Sequence, residues 1–225
     1  MTMSSSGLLF ILVACGPLAF GAACGARGAS TVLADVPAPA GSLAPKTNAP
    51  DAGVPLTREE EELNRRPLKL PLTEPKVVVE KGARRLRLYM GDELVRVRRV
   101  VLGFEPAGDK VKQGDGRTPE GDFYVCMKNE RSKFYLSLGL SYPNAEDAER
   151  GLRDSLISKA EHRSITRSLA AGRCPPWNTA LGGEVFIHGG GTASDWTWGC
   201  IALENLDIKE LFESLPAGAP VNIKP

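Results

Sequence analysis

Net charge, histidine and cysteine are all scarce in this chain of 225 residues, and each scarcity argues against a class of function. The 28 basic and 27 acidic residues leave a formal net charge of +1, which gives no support for a nucleic-acid partner. The two histidines and five cysteines include no CxxC pair, so neither a zinc site nor a disulfide scaffold is expected. No glycine-rich phosphate loop follows a predicted strand. We therefore expect a protein without a metal or another cofactor.

An apolar stretch at the amino end, GLLFILVACGPLAFGAAC, is typical of a secretory signal, and we assign residues 1–24 to it. Cys15 follows Leu-Val-Ala, which resembles a bacterial lipobox, and Cys24 follows a poorer match. The alternative is that both cysteines are ordinary small apolar residues of the signal. We expect export to the periplasm or cell envelope, with membrane attachment only through a lipid on Cys15 or Cys24.

Residues 25–75 are rich in proline, alanine and charge, and such a composition cannot bury enough apolar surface to fold. They predict a disordered linker that connects the signal to a folded domain. A short helix is predicted at most over residues 58–64, where charges dominate and no apolar stripe exists.

From residue 76 onward the pattern changes to short strands. KVVVEK, RRLRLYM and ELVRVRRVVLG alternate or run apolar, and Gly91-Asp92 forms a turn between the last two, which is typical of a β-meander. GDFYVCMKN, FYLSLGL, GEVFIHG and APVNIK predict further strands. Asn144 and Asn205 predict the caps of two helices, the first extending to about residue 159. Residues 76–225 therefore predict a mostly β domain with a few short helices.

One histidine and one cysteine lie close together in the last third of this domain. His188 ends a predicted strand in FIHG, and Cys200 follows after GGTASDWTWG. An imidazole can take the proton of a thiol, and the resulting thiolate would raise the pKa of the imidazole. Gly199 permits a close backbone approach, and the N–H groups around Gly199 and Cys200 are candidates for binding an oxyanion. An inert cysteine beside a core histidine is the alternative, and the other histidine, His162, is expected at a charged helical surface.

Four motifs follow one another in the domain: RTPEGDFYV, SLGLSYPN, FIHG and DWTWGCIALENLDI. In this order they resemble the catalytic domain of the L,D-transpeptidase (YkuD-type) family, and the resemblance covers about residues 76–223. The family pattern is a His-Gly step followed by Ser/Thr-x-Gly-Cys, which stands here as TWGC. The resemblance implies a mostly β, sandwich-like fold.

The resemblance also implies a role for each matched residue. Cys200 is the nucleophile, His188 is the general base, and the main chain of Gly189 is the nearest group that can orient the imidazole. Gly199 occupies the position at which backbone and oxyanion approach, and Thr197 occupies the remaining motif position.

The reaction implied by the family is acyl transfer on peptidoglycan stem peptides. The cysteine attacks the third stem residue, a diamino acid, at its L-centre and releases the terminal D-Ala. An amine then takes the acyl group, which forms a 3→3 cross-link or attaches a protein, and carbapenem-type inhibitors are expected to acylate Cys200. Alternatives are a peptidoglycan hydrolase or L,D-carboxypeptidase on the same scaffold, and a wall-binding module with an inactive Cys/His pair.

The sequence departs from the commonest family pattern at Trp198, where many relatives carry histidine, and at Ala202, where many carry arginine. Predicted substrate-binding residues lie in or beside the matched motifs: Trp196, Trp198, Tyr142 and Asn144. Segment 145–180 is either a lid over the cleft or a packing helix. Whether Cys126 and Cys174 pair as a disulfide stays open, because sequence does not give their separation.

Overall fold

The computed structural model describes residues 55–225. The predicted signal, both candidate lipidation sites Cys15 and Cys24, and residues 25–54 of the predicted linker lie outside the described residues. Within the described range, no helix is both long and apolar enough to cross a membrane.

Eight strands form where the sequence alternates or runs apolar: β1 (Pro75–Glu80), β2 (Arg85–Met90), β3 (Glu93–Arg99), β4 (Gly121–Ser132), β5 (Tyr135–Leu140), β6 (Phe186–His188), β7 (Ile201–Ala202) and β8 (Pro220–Lys224). They pair in one continuous order, β3-β2-β1-β8-β4-β5-β6-β7. The β1–β8 and β6–β7 pairs are parallel, and the other pairs are antiparallel. The prediction of a sheet-dominated domain is confirmed, and the sheet is mixed.

Strand β4 connects the two halves of this order. Its first residues pair with β8, and its later residues pair with β5 through two register shifts. A single apolar core takes side chains from both halves, among them Leu88 of β2 and Ile187 of β6. Strands so far apart in the order share a core only if the sheet curls, so the expected sandwich corresponds to one curled sheet.

Helix α1 (Arg58–Arg65) lies on β3 and begins with a capping box. The amide of Asn64 donates to the Val97 carbonyl at 2.6 Å and accepts from the Val97 N–H at 2.9 Å. Arg87 of β2 forms an ion pair with Glu60 at 3.2 Å. The short helix predicted over residues 58–64 is thus present, and polar contacts rather than an apolar stripe hold this part of the predicted linker on the sheet.

Helices α2 (Ala145–Arg153) and α3 (Lys159–Ala170) replace the single helix predicted to about residue 159. Asn144 and Ser158 cap them, each with a capping box, so the chain stops one helix and starts another. The two helices and the following loop bury a small core of their own: Ala148, Ile157, Ile165 and Leu181.

Cys126 and Cys174 form a disulfide, which answers the question that the sequence left open. The bridge connects β4 to the loop after α3. That loop continues to Trp177, whose ring lies 5.9 Å from the ring of Phe186. Within residues 55–225, Cys200 is the free cysteine.

Candidate active site

The end of β6 and the start of β7 bring the predicted histidine and cysteine to one cavity. The two strands are parallel neighbours, with His188 opposite Ala202, and Cys200 immediately precedes β7. His188 and Cys200 both line a cavity of about 670 Å³. We call it the aromatic cavity because rings form much of its wall: Phe134, Phe186, Trp196 and Trp198.

Three contacts hold the imidazole of His188 in one orientation. Its Nδ1 lies 2.6 Å from the carbonyl oxygen of Gly189, the main-chain group named from the sequence. The ring stacks on Phe134 with centroids 4.6 Å apart and meets Trp196 at 5.4 Å. Because a carbonyl only accepts, Nδ1 carries the hydrogen, and the lone pair of Nε2 is left to take a proton. Burial lowers the pKa of His188 by more than the bond to Gly189 raises it. The imidazole is therefore neutral at pH 7.

The thiol of Cys200 is protonated in this arrangement. Its Sγ donates to the carbonyl of Glu184 at 3.5 Å and accepts from the N–H of Phe186 at 3.4 Å. Burial raises the pKa of Cys200 to about 11, against smaller lowering effects from the Phe186 N–H and the ammonium of Lys110. His188 is not a hydrogen-bond partner of this sulfur among the described residues. Burial therefore acts against both charged forms of the expected thiolate–imidazolium pair in the resting site.

The turn before the cysteine is fixed by Thr197 and Gly199. The Oγ1 of Thr197 donates to the Cys200 carbonyl at 2.8 Å and accepts from the Gly199 N–H at 3.2 Å. Gly199 has a φ of +124°, and a Cβ there would lie 2.6 Å from the carbonyl oxygen of Arg117, so only glycine fits. The Gly199 N–H was a predicted oxyanion donor, but it already donates to Thr197 and is not free to bind an oxyanion. The N–H of Cys200, which has no acceptor in the described range, is the remaining main-chain candidate.

Two polar side chains hold the loops on either side of the site. Asp195 accepts from the N–H of Leu102 at 2.7 Å and from the guanidinium of Arg84 at 2.6 Å. Asn205 was predicted to cap helix α4 (Asn205–Ser214), but the capping position is the residue before it. Its Oδ1 instead accepts from the N–H of Gly190 at 3.0 Å, which fixes the loop after His188.

Cys200 also lines a second cavity of about 280 Å³. We call it the polar cavity because Lys110, Gln113 and Glu184 line it. Trp198 borders both cavities, is 71% exposed and stands edge-on to Phe104 at 4.9 Å. Both predicted tryptophans therefore lie at the site.

Tyr142 and Asn144 line neither cavity. Full burial argues against the predicted substrate contact of Tyr142, and that of Asn144 stays a prediction. Tyr142 is fully buried, and its hydroxyl donates to the carbonyl of Leu181 at 3.0 Å. The side chain of Asn144 caps α2 by accepting from the N–H of Asp147 at 2.9 Å. Both positions were inferred from a motif, SLGLSYPN, whose role here is to end β5 and begin α2.

Sequence reasoning missed several residues that line the cavities, among them Lys110, Phe134, Trp177 and Glu184. Phe134 offered a signal, because it is the first residue of the predicted strand FYLSLGL, although in the structure it lies in the turn before β5. The other three gave none, because they are far from Cys200 in sequence or carry no local pattern. Within residues 55–225, no group of three or more His, Cys, Asp or Glu residues is placed to hold a metal ion.

A free thiol and an imidazole of fixed tautomer on one cavity wall are the parts of a cysteine–histidine site for nucleophilic acyl transfer. The chain belongs to the YkuD family of L,D-transpeptidase catalytic domains, whose family model matches residues 74–223. Members of this family are cysteine-dependent L,D-transpeptidases. The resemblance recognised from the four motifs is thereby confirmed. No curated protein matches the chain.

Several solved structures are similar to part of the chain. An L,D-transpeptidase from Xylanimonas cellulosilytica is 15% identical with a TM-score of 0.40, over 71% of this chain and 64% of that chain. The helical cell shape determining protein Pgp2 from Campylobacter jejuni is 17% identical with a TM-score of 0.44, over 73% and 53%. An L,D-transpeptidase from Mycobacterium smegmatis is 11% identical with a TM-score of 0.40, over 68% and 59%. The chain thus spans less than two thirds of each of these structures.

Proposed function

We propose that this protein is a peptidoglycan L,D-transpeptidase in which Cys200 carries the acyl group. The donor is a stem peptide whose third residue is a diamino acid, attacked at the carbonyl of its L-centre. The acceptor is an amine of a second stem peptide or of a protein, which gives a 3→3 cross-link or a wall attachment. Family membership supports the reaction class, and the placement of Cys200 and His188 on one cavity wall supports the assignment of roles.

Acylation begins from the neutral pair. Nε2 of His188 takes the proton of the Cys200 thiol as Sγ attacks the carbonyl carbon, and the N–H of Cys200 lies next to the oxyanion that forms. The imidazolium then gives its proton to the nitrogen of the departing D-Ala, the C–N bond breaks, and a thioester remains on Cys200.

Deacylation reverses the roles of the same atoms. The incoming amine attacks the thioester, Nε2 of His188 takes one of its protons, and the C–S bond breaks. The proton then returns from the imidazolium to Sγ, which restores the neutral pair. Trp196 and Trp198, both on the wall of the aromatic cavity, contact the bound peptide.

The observation that carries this proposal is the orientation of His188. The bond from Nδ1 to the Gly189 carbonyl at 2.6 Å assigns the hydrogen to Nδ1 and the acceptor lone pair to Nε2. A histidine that only packs in the core needs neither a fixed tautomer nor a place on a cavity wall beside a free thiol. The arrangement therefore favours an active enzyme over a wall-binding module.

Product analysis with purified muropeptides tests the proposal. Wild-type protein should release D-Ala from tetrapeptide muropeptides and form 3→3 dimers, and incubation with a carbapenem should add the mass of the drug to Cys200. Cys200→Ala should lose both reactions, whereas His162→Gln, a change in the α2–α3 hairpin, should retain both. Release of D-Ala with tripeptide as the product would assign the protein to the L,D-carboxypeptidases, and absence of every Cys200-dependent reaction would refute an enzymatic role.

We further propose that the protein works in the cell envelope and is held there by a lipid on Cys15 or Cys24. The support is the lipobox-like sequence before Cys15 and the apolar stretch around it. Wild-type protein should then partition into the detergent phase of Triton X-114, and its first residue should be a cysteine that carries acyl mass. Substitution of both cysteines should move the protein to the aqueous phase and leave Cys200 reactive. A wild-type protein that is already aqueous and does not begin with cysteine would contradict the lipid anchor.

A further inference from the structure

The polar cavity places two opposite charges beside the nucleophile. Lys110 and Glu184 line it together with Cys200. Its volume of about 280 Å³ is less than half of the about 670 Å³ of the aromatic cavity. A compact ligand with both charges fits the polar cavity, whereas a longer peptide needs the aromatic cavity.

Lys110 is a buried ammonium held in one position. Its Nζ donates to Asp115 at 2.8 Å and to the carbonyl of Lys112 at 3.0 Å. Asp115 also accepts from three main-chain N–H groups, which fix the orientation of its carboxylate towards Lys110. An ammonium has three donors, and the third has no oxygen acceptor among the described residues, although the ring centroid of Tyr142 lies 5.9 Å from Nζ. Because Nζ lies 3.8 Å from the position that a Cβ on Gly199 would take, this spare donor is next to the reacting cysteine.

Glu184 differs from Lys110 in being exposed and without a partner. Its carboxylate makes no hydrogen bond or ion pair within residues 55–225, although its main-chain carbonyl accepts from the Cys200 thiol at 3.5 Å. Its φ of +54° is costly for a residue with a side chain, and such strain is found at functional sites. Its charge acts on the thiol, because it adds to burial in raising the pKa of Cys200.

We propose that the polar cavity binds the α-amino carboxylate part of both substrates, with Lys110 on the carboxylate and Glu184 beside the amino group. This inference rests on the proposed function. The terminal D-Ala of the donor presents its free carboxylate to Lys110 while its nitrogen is still in the scissile amide. Once the C–N bond breaks, that nitrogen takes the proton from His188 and leaves as an amine that Glu184 favours when it is protonated. An incoming amine that neighbours a carboxylate, as in a D-amino acid or the D-centre of a diamino acid, binds in the same way.

The first test changes the ligand and leaves the protein intact. Wild-type protein is given two tetrapeptides that differ only at the last residue, D-Ala with a free carboxylate or D-Ala carboxamide. Loss of a charge-assisted hydrogen bond should lower kcat/KM for the carboxamide by about 10-fold to 100-fold. Equal values for the two peptides would overturn the assignment of Lys110.

A variant of Lys110 should abolish this preference rather than activity as such. Lys110→Gln should turn over both peptides at the rate of the carboxamide on wild-type protein. Because this change removes the ammonium that pairs with the half-buried Asp115, the thermal midpoint is measured alongside. The matched control is Lys81→Gln, since Lys81 is equally buried and has an ion pair of the same length, 2.8 Å to Glu120, but lines neither cavity. It should keep the preference, and a preference lost equally in both variants would overturn the proposal.

A variant of Glu184 tests the amino side without a folding cost, because its side chain is exposed. Glu184→Gln should raise KM for D-amino acid acceptors by about tenfold, and the rate of acylation by a carbapenem is measured alongside to detect any effect through the pKa of Cys200. Glu146→Gln, an exposed change on α2, is the matched control and should alter neither value. An unchanged acceptor KM in Glu184→Gln would remove Glu184 from the proposed site.

Binding of D-alanine to the Cys200→Ala protein, followed by NMR shifts, separates failure of this inference from failure of the proposed function. Binding that depends on Lys110, in a protein without any reaction on stem peptides, would leave the polar cavity assigned and refute the proposed function. Turnover of stem peptides without D-alanine binding and without a carboxylate preference would refute the polar cavity alone.

Discussion

The alkylation of Cys200 by iodoacetamide should follow pH as expected for a half-buried thiol with a raised pKa. Burial raises the pKa of Cys200 to about 11, so only about 0.1% of this thiol is ionised at pH 8. An unperturbed cysteine, with a pKa of about 8.5, is about one quarter ionised at the same pH. Because the thiolate is the reacting form, Cys200 should react on the order of 100-fold more slowly than free cysteine. The rate should rise about tenfold per pH unit between about pH 7 and 10.

Acylation by a stem peptide should show a different profile, because it uses neutral His188 as the base. Burial lowers the pKa of His188, so the imidazole stays neutral to a lower pH than an unperturbed histidine with a pKa of about 6.5. The rate of acylation by a stem peptide should therefore be constant above about pH 6.5 and decline only below that value. His188→Gln should lower acylation by about 100-fold to 10,000-fold and leave iodoacetamide alkylation between about pH 8 and 10 close to wild type.

Both rates are measured by mass spectrometry of quenched samples across the pH range. The matched control is His162→Gln, because His162 pairs with Glu149 at 2.9 Å in the α2–α3 hairpin. This substitution should leave both pH profiles unchanged. A fast alkylation rate that is flat from pH 6 upward, and that falls in His188→Gln, would demonstrate a thiolate–imidazolium pair in the resting protein. That result would refute the assignment of two neutral groups.

Two further predictions concern the frame around the site. Gly199→Ala forces a side chain into a left-handed backbone position and against a carbonyl oxygen, so Cys200 should be displaced and kcat should fall about 100-fold. The control is Gly218→Ala, where φ is +88° but no atom lies within 4 Å of the added Cβ. It should keep full activity, which shows whether backbone strain alone explains a loss. Replacing Cys126 and Cys174 by alanine opens a bridge between residues 48 apart in sequence. This should lower the free energy of unfolding by about 4 kcal/mol, and an unchanged urea midpoint would contradict that value.

The strands and the reacting pair were predictable because their signals are local. Alternation in RRLRLYM located β2, and the His-Gly and TWGC motifs pointed to His188 and Cys200. The docking of α1 was not predictable, because Asn64 contacts the main chain of β3 and leaves no periodic apolar pattern in the sequence.

The surroundings of the reacting pair depend on distant parts of the chain. Lys110 and Glu184 are 74 positions apart, and only the curled sheet and the disulfide-linked loop bring them to one cavity. The charge states of His188 and Cys200 are hard to predict from sequence for a related reason. Proximity in sequence suggested a charged pair, but burial decides which forms are stable, and burial is a property of the folded domain.

Strand β8 occupies the middle of the sheet, between β1 and β4, although the ribosome makes it after the seven other strands. Until residues 220–224 have emerged, β1 and β4 have no shared neighbour, and each presents an unpaired edge. Folding of this domain is therefore a late event that waits for contacts distant in sequence, and such topologies fold slowly. A chain that stops a few residues before β8 would keep every residue of the cavity walls. Its β1 and β4 would still each expose an unpaired edge, which can pair with a strand of another chain.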